Sequence, residues 1–139
     1  MTLGVEDHLA IQQLVARYNH AIDRGDGAAY ADAFVEDGVL DAGLLVVEGR
    51  DSLRAFADAF PTSVRAPRHV ATNLVVEGTD DQAELRAYVQ LYALDGEPPQ
   101  QVVRASGIYT DSLVKRDGHW RFVRRTYVGD ADAPVGAPG

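Results

Sequence analysis

The sequence predicts an α+β domain in which helices cover one face of a single antiparallel sheet. Three observations carry this expectation. In the first sixty positions apolar residues recur at steps of three and four, which is helical spacing. After Pro67, four long stretches rich in Val, Tyr, Thr and Leu run with near-alternating polarity, which is strand spacing. Between those stretches lie Gly78-Thr79-Asp80-Asp81, Asp95-Gly96-Glu97-Pro98-Pro99 and Arg116-Asp117-Gly118, clusters of the kind that join antiparallel neighbours.

Taken in order, residues 6–24 carry the stripe Ile11, Leu14, Val15, Tyr18 and Ile22, an amphipathic helix that Gly25 ends. Asp26-Gly27 reads as a turn and residues 28–34 as a second, short helix of good helix formers. Asp37-Gly38 is another turn signal, which leaves 39–41 and 44–48 as a hairpin or two edge strands. Over 52–60, Leu53, Phe56, Ala57 and Phe60 share a helical face before Pro61 stops the run. The long strands follow at 68–77, 83–94, 102–115 and 120–128, joined as a meander. Residues 1–128 therefore read as one domain without internal repeats. Residues 129–139 read as a Pro- and Gly-rich tail with too little bulk to pack by itself, either disordered or draped over another surface.

A chain of 139 residues is the size of one domain with one core. Its 21 acidic and 13 basic residues leave a net charge of -8, so nucleic acid and anionic membrane surfaces are repelled at long range and are not expected partners. No apolar run approaches the roughly 20 residues of a membrane span. The first residues lack the basic flank and apolar stretch of a signal peptide, so a soluble, cytoplasmic protein is expected. The absence of cysteine removes disulfides, thiolate nucleophiles and cysteine metal sites together. The four histidines show no metal-ligand spacing, and neither a dinucleotide or phosphate loop nor a Gly-x-Ser-x-Gly nucleophile is present. No cofactor and no metal are expected.

Five segments in series carry a family resemblance: Tyr18-Asn19-His20-Ala21-Ile22-Asp23 with Gly25-Asp26, Phe34-Val35-Glu36-Asp37-Gly38, Gly49-Arg50-Asp51-Ser52-Leu53, Arg68-His69-Val70-Ala71-Thr72-Asn73, and Asp117-Gly118-His119-Trp120-Arg121-Phe122. In this order and at these distances the chain resembles the SnoaL-like branch of the nuclear transport factor 2-like superfamily. The resemblance implies a cone of curved sheet packed on three N-terminal helices around one apolar pocket. Its nearest catalytic pattern is that of the cofactor-independent lyases, hexachlorocyclohexane dehydrochlorinase, bile acid 7α-dehydratase and scytalone dehydratase. On that pattern Asp23 and His69 pair as carboxylate and general base. Tyr18 matches a tyrosine of the bile acid enzyme, and Arg125 falls where two of these enzymes carry a functional arginine. Where the relatives supply a second histidine or an aspartate, this chain has Tyr88, Gln90 and Tyr92, which leaves the proton donor open.

Each of these residues also has an ordinary structural reading. Asp23 sits in the last turn of a helix, where the macrodipole disfavours an anion, yet it also belongs to the solvated turn Asp23-Arg24-Gly25-Asp26. As a partner of His69 it would fix the tautomer and stabilise the imidazolium, so that activity falls as the pH drops. Tyr18 lies on the apolar stripe and serves equally as a core tyrosine or as a donor to substrate. Arg121, Arg124 and Arg125 crowd one strand, and only one needs to point inward to bind a leaving group. Asn73, Tyr88 and Tyr92 are candidate polar groups of the substrate pocket. Alternation puts Tyr88, Gln90 and Tyr92 on one face without saying which.

Three functions remain. The first is a lyase in which His69, oriented by Asp23, removes a proton from a small, mainly apolar cyclic substrate while Tyr18 or Arg125 assists the leaving group. The second is isomerisation, cyclisation or epoxide opening on the same scaffold. The third is a non-catalytic ligand-binding or assembly domain. A homo-oligomer is expected, a trimer in preference to a dimer. The strand 102–115 reads as apolar on both faces, with Val102 and Ile108 on one and Val103, Ala105, Tyr109 and Leu113 on the other. The tail could then lie against a neighbour.

Overall fold

A computed structural model describes residues 2–132. The tail expected over 129–139, and its contact with a neighbouring subunit, lie outside the described residues from position 133 onward. The elements are α1 (Val5–Asp23), α2 (Gly27–Asp32), β1 (Phe34–Asp41), β2 (Val46–Glu48), α3 (Arg50–Ser63), β3 (Arg68–Thr79), β4 (Gln82–Asp95), β5 (Gln100–Arg116) and β6 (His119–Gly129). The three helices and the four long strands stand where the two periodicities put them, in an α+β arrangement with a curved, unclosed sheet.

The sheet order is β2-β1-β6-β5-β4-β3. Strands β3 to β6 form the expected antiparallel meander. One pairing corrects the purely antiparallel expectation, because β1 runs parallel to β6, with Leu40 opposite Arg125. The meander leaves one edge of β6 open, and β1, from the N-terminal part of the chain, fills it. A second correction concerns β1 itself. It begins at Phe34 and runs through Asp37-Gly38, which the turn signal had broken. Its register against β6 shifts between Phe34 and Val39, so those residues form an irregularity inside a strand.

Local chemistry sets the helix ends. Gly25, at φ 71°, takes the left-handed conformation that follows a helix, and Asp26 caps α2 by accepting a hydrogen bond from the Ala29 N–H at 3.0 Å. Pro61 does not stop α3; it lies in its last turn, where its ring packs beside Gly25. Gly27 lets α2 pass close over α3: a Cβ there would lie 2.2 Å from the Arg54 carbonyl oxygen, and the Gly27 N–H donates to Asp58 at 2.7 Å. At the other end of α1, Asp7 accepts hydrogen bonds from Trp120 Nε1 and Lys115 Nζ, which ties the helix start to the β5–β6 turn.

The core lies between these helices and the concave sheet face. Ile11, Leu14, Tyr18 and Ile22 of α1 pack with Leu53 of α3 against Leu85, Leu113 and Phe122 of the strands. Strand alternation decides which residues share that face. From β4 it receives Leu85, Ala87 and Val89, and from β5 Tyr109, Asp111 and Leu113. Registry then orders the concave face in layers: Asp111 opposite Arg125, next Tyr109 opposite Tyr127, next Gly107 opposite Gly129. A register shift between Leu91 and Tyr92 aligns Tyr92 with Val103 and Leu91 with Ala105. Val103 therefore joins Ile108 on the outer face while Val102, opposite the buried Ala93, joins the concave one, so the predicted split of that strand into two faces is wrong at both residues.

Candidate functional site

Asp23 ends α1 and His69 is the second residue of β3, and the two meet at the rim of the concave face. Asp23 Oδ1 lies 2.6 Å from His69 Nδ1. The His69 backbone N–H also donates to both carboxylate oxygens, at 3.1 and 3.0 Å. An ionised carboxylate only accepts, so Nδ1 carries a proton, and in the neutral imidazole the lone pair resides on Nε2. The side chains are 9% (His69) and 13% (Asp23) exposed, and the Phe60 ring packs against the imidazole at 5.3 Å between centroids. The unfavourable end of the helix dipole is thus answered by two donors of His69, the backbone N–H and Nδ1–H, on the neighbouring strand.

The imidazole lines a cavity of about 170 Å3 whose other walls are mainly apolar or aromatic, among them Ile22, Phe56, Phe60, Val89 and Leu91. Three tyrosines, Tyr18, Tyr109 and Tyr127, join them. Space for the cavity comes partly from the glycine layer. A Cβ at Gly107 would lie 2.3 Å from the Val128 carbonyl oxygen and 2.7 Å from the Tyr127 ring, so only glycine lets that ring stand where it does. The Tyr127 hydroxyl donates to the Ser106 carbonyl at 3.2 Å, and the hydroxyls of Tyr18 and Tyr30 share a hydrogen bond of 2.9 Å. Burial pushes the phenols of Tyr18 and Tyr109 well up, and burial with Asp130 and Asp132 raises that of Tyr127. All three are therefore neutral donors near pH 7.

Of the three strand arginines Arg125 points inward, but it is not part of the cavity lining. It is 0% exposed, and its Nε donates to Asp111 Oδ1 at 3.1 Å across the β5–β6 pair. Its Cζ stands 3.5 Å from the ring centroid of Tyr109 and 4.5 Å from those of Tyr18 and Phe122. Nη1, Nη2 and the second Asp111 oxygen have no hydrogen-bond partner. Burial raises the Asp111 carboxyl to about 6 against the pull of Arg125. The expected direct contact of Arg125 with a leaving group is corrected accordingly: two tyrosines that do line the cavity cover its guanidinium.

The remaining candidates are not brought together with the dyad. Tyr88 is 55% exposed and lies with Tyr92 and Gln90 on the outer face, where the Tyr92 hydroxyl donates to Gln90. Asn73 is exposed at an irregularity of β3, in the left-handed region at φ 56°. None of these four residues lines the cavity. Tyr109, Tyr127, Phe56, Phe60 and Asp111 were not singled out by sequence. Phe56 and Phe60 were placed on the buried face of α3. Tyr109 and Asp111 alternate with Gly107, a pattern that marks one face without its contents. Among the described residues no group of three or more His, Cys, Asp or Glu side chains could hold a metal ion. No helix among them is long and apolar enough to cross a membrane.

Residues 4–126 match the model of the SnoaL-like domain. No curated protein matches the chain. Among solved structures, an Asp-to-Asn variant of a Mycobacterium tuberculosis protein of unknown function is 35% identical, with a TM-score of 0.86 over 91% of this chain and 78% of that one. A candidate aromatic ring hydroxylase from Novosphingobium aromaticivorans is 31% identical, with a TM-score of 0.80 over 95% and 93% of the two chains. A candidate scytalone dehydratase from the same bacterium shares the fold at 24% identity, with a TM-score of 0.80 over 97% of each chain.

Proposed function

Because the chain belongs to the SnoaL-like domain family, we propose that it is a cofactor-independent enzyme of lyase type, acting on a small, mainly apolar cyclic molecule. The observation that carries this reading is His69: an imidazole whose Nδ1–H is fixed by Asp23, with Nε2 left basic beside an apolar cavity of about 170 Å3. Nε2 takes a proton from a ring carbon, the C–H electrons form a double bond, and the bond to a halide or hydroxyl on the adjacent carbon breaks with its electron pair. Asp23 stabilises the imidazolium formed and does not itself take the proton. Neutral tyrosines at the cavity supply hydrogen bonds to the departing group.

One observation favours a second reading. Burial of the phenols at the cavity raises their pKa values, so they keep their protons: they can hydrogen-bond to a ligand but do not readily give it a proton. That suits loss of halide, or formation of an enolate followed by isomerisation or cyclisation, better than expulsion of hydroxide, which needs a proton. The test is turnover of a panel containing chlorinated cyclohexanes, β-hydroxy ketones and β,γ-unsaturated cyclic ketones, by wild type, His69→Gln and Asp23→Asn. The reading requires one class to be converted, with loss in both variants. Conversion untouched by either substitution, or binding without any conversion, leaves a ligand-binding domain.

We also propose that copies associate through the outer sheet face, as a trimer. There Val70, Tyr88, Val103 and Val128 are exposed, and registry sets Tyr88, Ile108 and Val128 in one row across β4, β5 and β6. Sedimentation equilibrium at low micromolar concentration is expected to give three times the 15.0 kDa chain mass. A single chain mass would end this proposal.

A further inference from the structure

We infer that Tyr109 is the group that holds the oxygen on which negative charge gathers in the pocket, with Arg125 acting through it as a positioning residue, and that the ligand is a one-ring phenol or enolisable ketone. The inference rests on the pocket being the reactive site proposed above, but not on His69 being its base. It starts from a cation that nothing on its own layer fully uses. Arg125 is completely buried, bonds Asp111 through Nε alone, and leaves Nη1 and Nη2 without partners. A buried cation with half its donors unmet is costly, and its field falls on the rings that enclose it.

That field has a direction. Arg125 and Asp111 stand opposite each other in one layer of the sheet, and Tyr109 belongs to the next layer toward the cavity. The guanidinium leans toward Tyr109, 3.5 Å from its ring centroid, so the positive end of the pair lies under a phenol that faces the ligand. A cation on the ring face withdraws electron density and makes the O–H a stronger donor. In a dry site it also attracts an anion on the far side of the ring. Asp111, the negative end, sits in the layer behind, away from the cavity. Tyr18, at 4.5 Å from the same cation, has its hydroxyl engaged with Tyr30, and the Tyr109 hydroxyl leans on that of Tyr18; of the two, Tyr109 stands nearer the cation and carries its effect to the ligand.

Size limits the ligand. An engineered apolar cavity of about 150 Å3 holds benzene, and this one offers about 170 Å3. One ring with an oxygen and a small substituent fits, and a fused polycycle does not unless most of it stays outside. The charged and titratable groups around the oxygen are few: Asp23 with His69 at the rim, Tyr18 and Tyr30 from the helices, Tyr109 with Asp111 from β5, and Tyr127 with Arg125 from β6.

The test uses 4-nitrophenol, whose absorbance reports its own ionisation, in the His69→Gln background so that the base takes no part. Bound dye is expected to ionise at lower pH than free dye by about one pH unit or more. That displacement is expected to vanish in Tyr109→Phe, which keeps the ring on Arg125 and removes only the hydroxyl. It is also expected to vanish in the Arg125→Met/Asp111→Leu double variant, which removes the buried pair together and so avoids stranding either charge. Retention of the displacement in both variants, or preferential binding of the neutral dye in His69→Gln itself, overturns the inference. Failure of the base assignment would instead show as unchanged turnover in His69→Gln, with the dye result intact.

Discussion

Asp23 and Asp111 each hold a basic side chain on a neighbouring element, under opposite constraints. Asp23 accepts three hydrogen bonds from His69, stays slightly exposed and leaves a ring nitrogen free beside the cavity. Asp111 accepts one from Arg125, is fully enclosed, and leaves unpartnered atoms on both sides of the pair. A satisfied pair at the edge of a fold costs little to keep and can exchange a proton with a ligand. A half-satisfied pair in the middle of a sheet is walled off from the ligand, and its influence there is confined to the field it casts on the tyrosines above it. The comparison separates a pair suited to chemistry from one suited to holding the floor of the pocket.

The largest expected effect is on turnover at the first pair. His69→Gln removes the base and is expected to lower kcat/KM by about 10²- to 10⁴-fold, the usual contribution of a positioned general base. Asp23→Asn should lose at least about tenfold, because the tautomer and the imidazolium lose their anionic partner. Steady-state kinetics on whichever substrate the panel yields checks both. Equal turnover in wild type and His69→Gln would erase the distinction between the two pairs.

The next effect is on stability, and it reverses the ranking. Arg125→Met or Asp111→Asn alone strands a buried partner and is expected to cost about 3–5 kcal/mol in chemical denaturation. The double variant Arg125→Met/Asp111→Leu should return most of that loss, a coupling that a double-mutant cycle measures directly. Asp23→Asn, at the rim, should cost about 1 kcal/mol. If the single substitutions at Arg125 and Asp23 cost the same, the buried pair is no more constrained than the exposed one.

Acid should act on the buried pair through its stability. At the buried pair, Asp111 titrates near 6 in the fold against about 3.9 unfolded. Its folded value is the higher one, so the native state binds more protons between about pH 4 and 6. Wild-type stability relative to the double variant should therefore decline as pH rises through that window and stay level above it. Denaturation curves at pH 4, 5, 6 and 7 test the sign, and a relative stability that climbs with pH contradicts it.

A third carboxylate sharpens the comparison with the smallest effect. Asp7 is held below the usual carboxylate range by its hydrogen bonds from Trp120 and Lys115. Here the folded value is the lower one, so the contribution is present above the ordinary aspartate value and lost as pH falls through the depressed one. Asp7→Asn should lower the melting temperature slightly at pH 7 and leave it unchanged in acid, with no effect on turnover. A fall in turnover would mean that the helix start and the pocket are coupled.

The α+β class, three helices and four long strands were readable because helix and strand periodicities are local, and Ile11, Leu14 and Tyr18 repeat on a single turn geometry. The candidates Asp23 and His69 came from a run of motifs, and two residues 46 positions apart come into contact only through the tertiary fold. What sequence left undecided was anything that depends on register. Alternation grouped Tyr88, Gln90 and Tyr92 on one face but did not say that it is the outer one. The register shifts next to Leu91 and Ser112 reset the face of every residue beyond them. The parallel pairing of β1 with β6, the enclosure of Arg125 by Tyr18 and Tyr109, and the arrival of Tyr127 at the cavity are products of that register. The physical reason is that a strand's own sequence sets its period, whereas the strand beside it and the helix above it decide which phase of that period is buried.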